Sequence, residues 1–146
     1  MALKHSISWW CFADKVEPKL LIESAAQLGY DGIDLVEQAF WDPICDAGLE
    51  LAAINGHVTL EDGLNKLENH DRIEREIVEK LELTSKYPIH CLICFTGNRH
   101  QEDDQRGLDV TAQGLQRVAK AAEDAGTYLV LELLNSKVDH PGYQCD

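Results

Sequence analysis

The chain has 146 residues, with 26 Asp or Glu against 13 Lys or Arg, a formal net charge of −13. That length suits one domain with a real core. The negative balance argues against a nucleic-acid partner, whose phosphates need a basic footprint. No apolar stretch approaches the roughly 20 residues that span a bilayer, so no membrane partner is expected. Five cysteines, an odd number, and no apolar leader after Met1 point to a reducing, cytoplasmic setting without a disulfide framework.

The predicted elements alternate along the chain. His5–Phe12, with Ile7, Trp9, Trp10 and Phe12, reads as a first strand. Pro18 suits the first turn of a helix whose apolar spacing is Leu21, Ile22, Ala25, Ala26 and Leu28, and Gly29 stops it. Residues 32–36 form the second strand. A shorter helix over 37–47 has Pro43 in its first turn, and after Gly48 the third strand covers 49–55. Thr59 or Asp62 opens a long helical region in two parts. The second part carries a capping box, Asp71 to Glu74, and the stripe Ile73, Ile77, Leu81 and Thr84. Pro88 breaks it before a fourth strand over 89–95. Asp109 or Thr111 caps the next helix, striped by Ala112, Leu115, Val118, Ala119, Ala122 and Ala125. After Gly126 comes the run Tyr128-Leu-Val-Leu-Glu-Leu-Leu-Asn135, which reads as a buried strand of a parallel sheet.

This β-α-β-α order with short connections implies a parallel sheet with right-handed crossovers. The helical stripes face one way, so the other face of the sheet is covered by closing it into a barrel. A doubly wound open sheet is the rival, but it usually carries a glycine-rich turn after the first strand, and Trp10–Asp14 has no glycine. The expected fold is α/β, an incomplete (βα)8 TIM barrel with about five parallel strands and four to five helices outside. A complete barrel of this kind takes about 250 residues. Residues 1–146 are therefore expected to form a single partial domain whose C-terminal strands are missing.

Glu132 interrupts the last apolar run. A buried carboxylate is costly unless something pairs with it. It therefore meets a cation in a structural ion pair, ligates a metal, or moves protons. The run Cys91-x-x-Cys94 is discounted as a metal pair, because residues three apart on a strand point to opposite faces. The acidic run Gln101–Gln105 lacks the spacing and glycine of a calcium loop.

Leu131-Glu-Leu-Leu-Asn-Ser-Lys-Val-Asp-His-Pro-Gly-Tyr143 resembles the hydroxypyruvate isomerase family, within the xylose-isomerase-like barrels of sugar isomerases and epimerases. The strand glutamate, the Asn three residues on and Asp-x-Pro-Gly-aromatic carry the resemblance. Leu28-Gly-Tyr-Asp-Gly-Ile-Asp-Leu35 and Cys94-Phe-Thr-Gly-Asn98 are also similar to that group's second-strand entry and fourth-strand exit. The resemblance implies interconversion of an α-hydroxy ketone and an α-hydroxy aldehyde, hydroxypyruvate to tartronate semialdehyde. It implies a divalent metal, Mg or Mn, at the barrel mouth. It gives Glu132 the role of catalytic glutamate and metal ligand, while the remaining ligands belong to later strands. This chain alone is then expected to bind metal weakly and to be inactive.

Functional groups in such barrels cluster just after the strands. The candidate substrate contacts there are His57, Arg99, Asn135, Lys137 and Trp9, for a small hydroxy-carbonyl substrate. Arg99 suits a substrate carboxylate, though a surface arginine in an acidic loop is the plainer reading. Trp9 serves either as pocket wall or as core. Two alternatives stay open. One is an AP-endonuclease-like, metal-dependent barrel fragment that recruits His57 and Glu132 to zinc. The other is a non-catalytic half-barrel that self-associates through its open edges.

Overall fold

Pro18 and Gly29 bracket the first helix as the sequence predicts. In this computed structural model, which describes residues 3–101 and 103–146, the helix α1 runs over Pro18–Leu28 and ends on Gly29 at φ +81°. Strand β1 is Ser6–Ser8 and β2 is Gly32–Asp34. Helix α2 covers Trp41–Asp46, and β3 covers Glu50–Asn55. Helix α3 is His70–Glu82, β4 is Ile89–Cys94, α4 is Asp104–Ala125 and β5 is Tyr128–Leu131. The strands form one parallel sheet in the order β1-β2-β3-β4-β5. Ser6, Gly32 and Glu50 lie in register, as do Ile7, Ile33 and Leu51. Sequential order with a helix after each of β1 to β4 is the first part of a TIM-barrel-like sheet.

The chain packs as two compact units, Met1–Ile54 with Thr84–Cys91, and Asn55–Leu83 with Leu92–Asp146. In the first, Leu21, Ile22 and Ala25 of α1 are buried, as are Ile33, Ile44, Leu51 and Ile89. Trp41 sits edge-on to Tyr87 with ring centroids 5.2 Å apart, and its indole N–H donates to the Val36 carbonyl at 3.1 Å. In the second, α3 packs along α4. Ile73, Ile77 and Leu81 are buried on one helix, Val110, Val118 and Ala122 on the other. Gly114 lets Leu64 and His70 approach α4, since a Cβ there would lie 2.6 Å from Leu64 Cδ2.

Several boundaries differ from the sequence reading. The first strand stops at Ser8, and Trp9–Cys11 turns into a short 3₁₀ helix. The N–H groups of Phe12 and Ala13 both donate to the Trp9 carbonyl at 3.0 Å, a local bond that replaces the ladder. Residues 59–66 are not helical. Their backbone follows the exit of β4 instead, Leu64 N–H donating to Phe95 O and Asn65 N–H to Thr96 O. These bonds to β4, rather than i→i−4 bonds of its own, hold the backbone of this segment. The capping box is absent too. Helix α3 starts at His70, so Asp71 lies within its first turn and pairs with Arg117 at 2.6 Å. Asp103 caps α4 by accepting from Arg106 N–H at 3.1 Å, well before the predicted start. Gly107 and Gly114 weaken the helical signal there, yet both are inside the helix. Glu102 of the acidic run lies outside the described residues.

Candidate functional site

The exits of β4 and β5 lie together in the second unit. Glu132 follows the last residue of β5 directly, so the predicted eight-residue buried strand is corrected to four residues with Glu132 beyond it. Its backbone N–H still donates to Cys94 O at 3.0 Å. The residue is half-buried rather than enclosed, because β5 is the last strand of the sheet and only one side has a neighbour. The desolvation cost anticipated for a fully buried carboxylate is correspondingly reduced. Among the described residues no side chain forms a hydrogen bond or an ion pair with its carboxylate.

Tyr143 joins the two exits. It is completely buried. Its hydroxyl accepts from Thr96 N–H at 3.0 Å and donates to the Glu132 carbonyl at 3.2 Å. Burial, the largest cause, pushes the phenol pKa upward. The proton therefore stays available for the Glu132 carbonyl. In the sequence Tyr143 stands out only as the aromatic of the Asp-x-Pro-Gly-aromatic signature. Its bridging role depends on the C-terminal segment folding back, with Gln144 N–H on Gly97 O and Arg99 N–H on Gly142 O.

His57 is 2% exposed. Phe95 N–H donates to its Nε2 at 2.9 Å, and its Nδ1 lies 3.1 Å from Val58 O. These partners assign the neutral ring with the proton on Nδ1. Desolvation is the main cause that pulls its pKa below the ordinary histidine value. Both ring nitrogens are thus occupied by backbone groups in this arrangement.

Arg99 holds the C-terminal segment. Its guanidinium donates to Tyr143 O at 3.2 Å and Gln144 O at 3.4 Å. It also pairs with Asp104 at 3.3 Å and Asp146 at 3.9 Å. The Asn135 side-chain oxygen accepts from the N–H groups of Lys137 and Val138 at 3.1 and 3.2 Å, shaping the loop after β5 as an Asx turn. Lys137 is exposed. Trp9 belongs to the first unit and is buried, its ring 4.8 Å from that of Phe40. The structure therefore brings Glu132, Thr96, Arg99 and Tyr143 together through a shared hydrogen-bond network.

A divalent ion takes several oxygen or nitrogen ligands. Among the described residues no three His, Cys, Asp or Glu side chains gather to hold one. The residues here do not fit an ion on their own, and Glu132 supplies one carboxylate of such a set at most. Cys94 is no substitute, because burial pushes its thiol pKa up to about 12. All five cysteines are free thiols. Among the described residues no helix is long and apolar enough to cross a membrane.

No family model and no curated protein matches the chain. Solved structures do. An AP endonuclease, family 2, from Brucella melitensis superposes with a TM-score of 0.79 at 15% identity, over 99% of this chain and 60% of that one. A D-psicose 3-epimerase in the presence of D-fructose gives 0.65 at 21% identity, over 94% and 55%. A xylose isomerase domain protein from Alicyclobacillus acidocaldarius gives 0.68 at 17% identity, over 98% and 55%. The fold is a partial α/β TIM-barrel-like fold, similar to that of these structures. At these identities the likeness is one of fold, and it does not reach the reaction. The chain spans 55 to 60% of the length of these three structures.

Proposed function

We propose that the chain is the N-terminal part of a sugar-isomerase-type barrel of the hydroxypyruvate isomerase kind, acting on a small α-hydroxy carbonyl compound. The carrying observation is the position of Glu132. It is a half-buried carboxylate, free of ion-paired partners among the described residues, at the C-terminal end of a strand in a TIM-barrel-like sheet. That end of the sheet is where barrels of this class do their chemistry. A carboxylate there is suited to take a proton from the carbon beside a carbonyl and return it to the neighbouring carbon. The Tyr143 hydroxyl fixes the Glu132 backbone, and the Asn135 turn directs the loop that follows.

The enediolate formed on that path needs fixed positive charge. The described residues do not supply a complete ion site, so no step in this chain is assigned to a metal. The remaining ligands and the completed pocket are proposed to come from strands beyond these five. An AP-endonuclease-like reading would recruit His57 and Glu132 to zinc. Both nitrogens of His57 are engaged, and the net charge of −13 opposes a DNA-facing surface, so that reading has less to stand on.

Two measurements test the proposal. Calorimetric titration of this chain with Mn is expected to show no tight one-to-one binding, and a tight stoichiometric site would refute the incomplete-site part. Co-expression with the C-terminal half of a hydroxypyruvate isomerase is expected to yield conversion of hydroxypyruvate to tartronate semialdehyde. Glu132→Gln should lower that conversion by about 10²–10⁴-fold at unchanged thermal stability. Turnover that survives the substitution removes Glu132 from the reaction.

A further inference from the structure

Two side chains hold the β4 exit where backbone pairing ends. Toward β3, Gly56 N–H donates to Ile93 O at 2.8 Å. Backbone groups two residues apart in a strand point the same way, so the next donor on that side is Phe95 N–H. It donates to the His57 ring at 2.9 Å rather than to a β3 carbonyl. Toward β5, Cys94 O accepts from Glu132 N–H at 3.0 Å. The next donor on that side is Thr96 N–H. It donates to the Tyr143 hydroxyl, which donates in turn to the Glu132 carbonyl. His57 and Tyr143 thus replace the ladder on opposite sides of two consecutive residues. Phe95 and Thr96 are 7% and 3% exposed, so water does not readily stand in for a lost partner.

The His57 ring is itself held in place. Its Nδ1 lies 3.1 Å from Val58 O. Val58 N–H donates to the Glu76 carboxylate at 2.9 Å. Arg72 donates to Val58 O at 3.4 Å and to Glu76 at 3.2 Å. The ring also stands edge-on to that of Phe95, with centroids 5.4 Å apart. A neutral imidazole carries a donor and an acceptor on separate sides of one rigid ring, and this position uses both. At 2% exposure His57 has almost no surface to offer a substrate. Its influence on the site runs through its neighbours.

We propose that His57 is a positioning residue for Glu132, acting through the Phe95–Thr96 backbone and the Tyr143 hydroxyl. Without the ring acceptor, Phe95 N–H is buried and unpaired, a penalty that the backbone relieves by moving. That movement carries Thr96 N–H, the next residue's donor, away from Tyr143. The Glu132 carbonyl then loses its fixed partner, and the carboxylate loses its aim. The importance of this relay for the reaction rests on the role proposed for Glu132 above.

The relay itself is tested on the chain alone, without substrate, by amide hydrogen exchange of the ¹⁵N-labelled protein. His57→Leu is expected to speed exchange at Thr96 and Glu132 about tenfold relative to Ile77 in α3, the worth of one hydrogen bond. His57→Asn keeps a donor for Val58 O and removes the acceptor, so it carries the same expectation and decides the matter if the first variant does not fold. His57→Gln returns an acceptor oxygen near the Nε2 position and should exchange as the unaltered chain does. With Tyr143→Phe already in place, removing the ring should no longer change the Glu132 rate. An equal rise at Ile77 overturns the proposal, because it makes His57 a stabiliser of the whole fold. Unchanged exchange at Glu132, or a Glu132 response that survives Tyr143→Phe, overturns it by cutting the relay. Exchange in His57→Gln as fast as in His57→Leu overturns the part given to the acceptor. Because no turnover is measured, a failed conversion assay leaves the relay standing, and a failed relay leaves the role of Glu132 standing.

Discussion

Strands β4 and β5 begin as near-equals in sequence and end in different environments. Residues 89–95 and 128–134 are both mostly apolar. The β4 run remains in the sheet for six residues, and Phe95 and Thr96 just beyond it are buried. The β5 run leaves the sheet after four residues, Tyr128 is 72% exposed and Leu133 is 68% exposed. The β4 exit is also tied down from outside the strand. Gly56 N–H reaches Ile93 O, His57 takes Phe95 N–H, and Leu64 and Asn65 bond to the two carbonyls that follow. The β5 exit is tied by Glu132 N–H on Cys94 O, Leu134 N–H on Cys145 O and the Tyr143 hydroxyl on Glu132 O, yet the side chains of Leu133 and Tyr128 stay exposed. An apolar run reports a capacity for burial, and position in the sheet decides whether burial happens.

The comparison is broken most directly at Gly63. A Cβ there would lie 2.4 Å from Phe95 O and 2.6 Å from the Thr96 carbonyl carbon, a backbone contact that no rotamer relieves. Gly63→Ala is expected to cost roughly 3 kcal/mol or more, read as a lowered urea midpoint. A loss under about 1 kcal/mol would mean that the segment over 59–66 does not anchor the β4 exit.

A middle-sized effect is expected from acid. Protonating His57 on Nε2 would set two N–H donors against each other, that of the ring and that of Phe95. Glu76 nearby favours the charged ring, Arg72 opposes it, and desolvation outweighs the favourable contributions. The folded pKa therefore lies below the unfolded value of about 6.5. The unfolded chain takes the proton first, so the stabilising contribution is complete well above pH 6.5 and is lost as the pH falls through that value toward the folded pKa. The slope from this one group cannot exceed about 1.4 kcal/mol per pH unit. Denaturation curves from pH 8 to 5 should show the loss, and His57→Gln should remove this component. An identical slope in the variant would take His57 out of the acid response.

The smallest effect belongs to the β5 side. Leu133→Ser is expected to change stability by no more than about 0.5 kcal/mol, because the side chain buries little on folding of this chain. A loss above about 2 kcal/mol would show that Leu133 is covered in solution, and would erase the difference between the two exits.

Much of the architecture was legible from local signals. Pro18 at the helix start and Gly29 and Gly126 in left-handed caps mark helix limits for steric reasons that act within a few residues. The apolar spacing of α3 likewise names its buried residues Ile73, Ile77 and Leu81. Of the candidate site, Glu132 was legible as an acid in an apolar run. Tyr143, which bridges the exits, was not legible as a hydrogen-bonding group, because its partners are 47 and 11 residues away. The early start of α4 was hidden by Gly107, whose missing side chain has its reason in Gln144.

By itself the sequence determined the alternation of strands and helices, the caps, the faces that seek burial and the strongly acidic balance. These follow from backbone sterics, apolar periodicity and simple charge. Tertiary structure alone decided that residues 59–66 run as a non-helical segment bonded to the β4 exit, that His57 and Arg99 are engaged by backbone groups, and that Glu132 is half-buried at the sheet's end. Each of those outcomes depends on atoms distant in sequence competing for the same hydrogen bonds or the same space, and no local pattern records the winner.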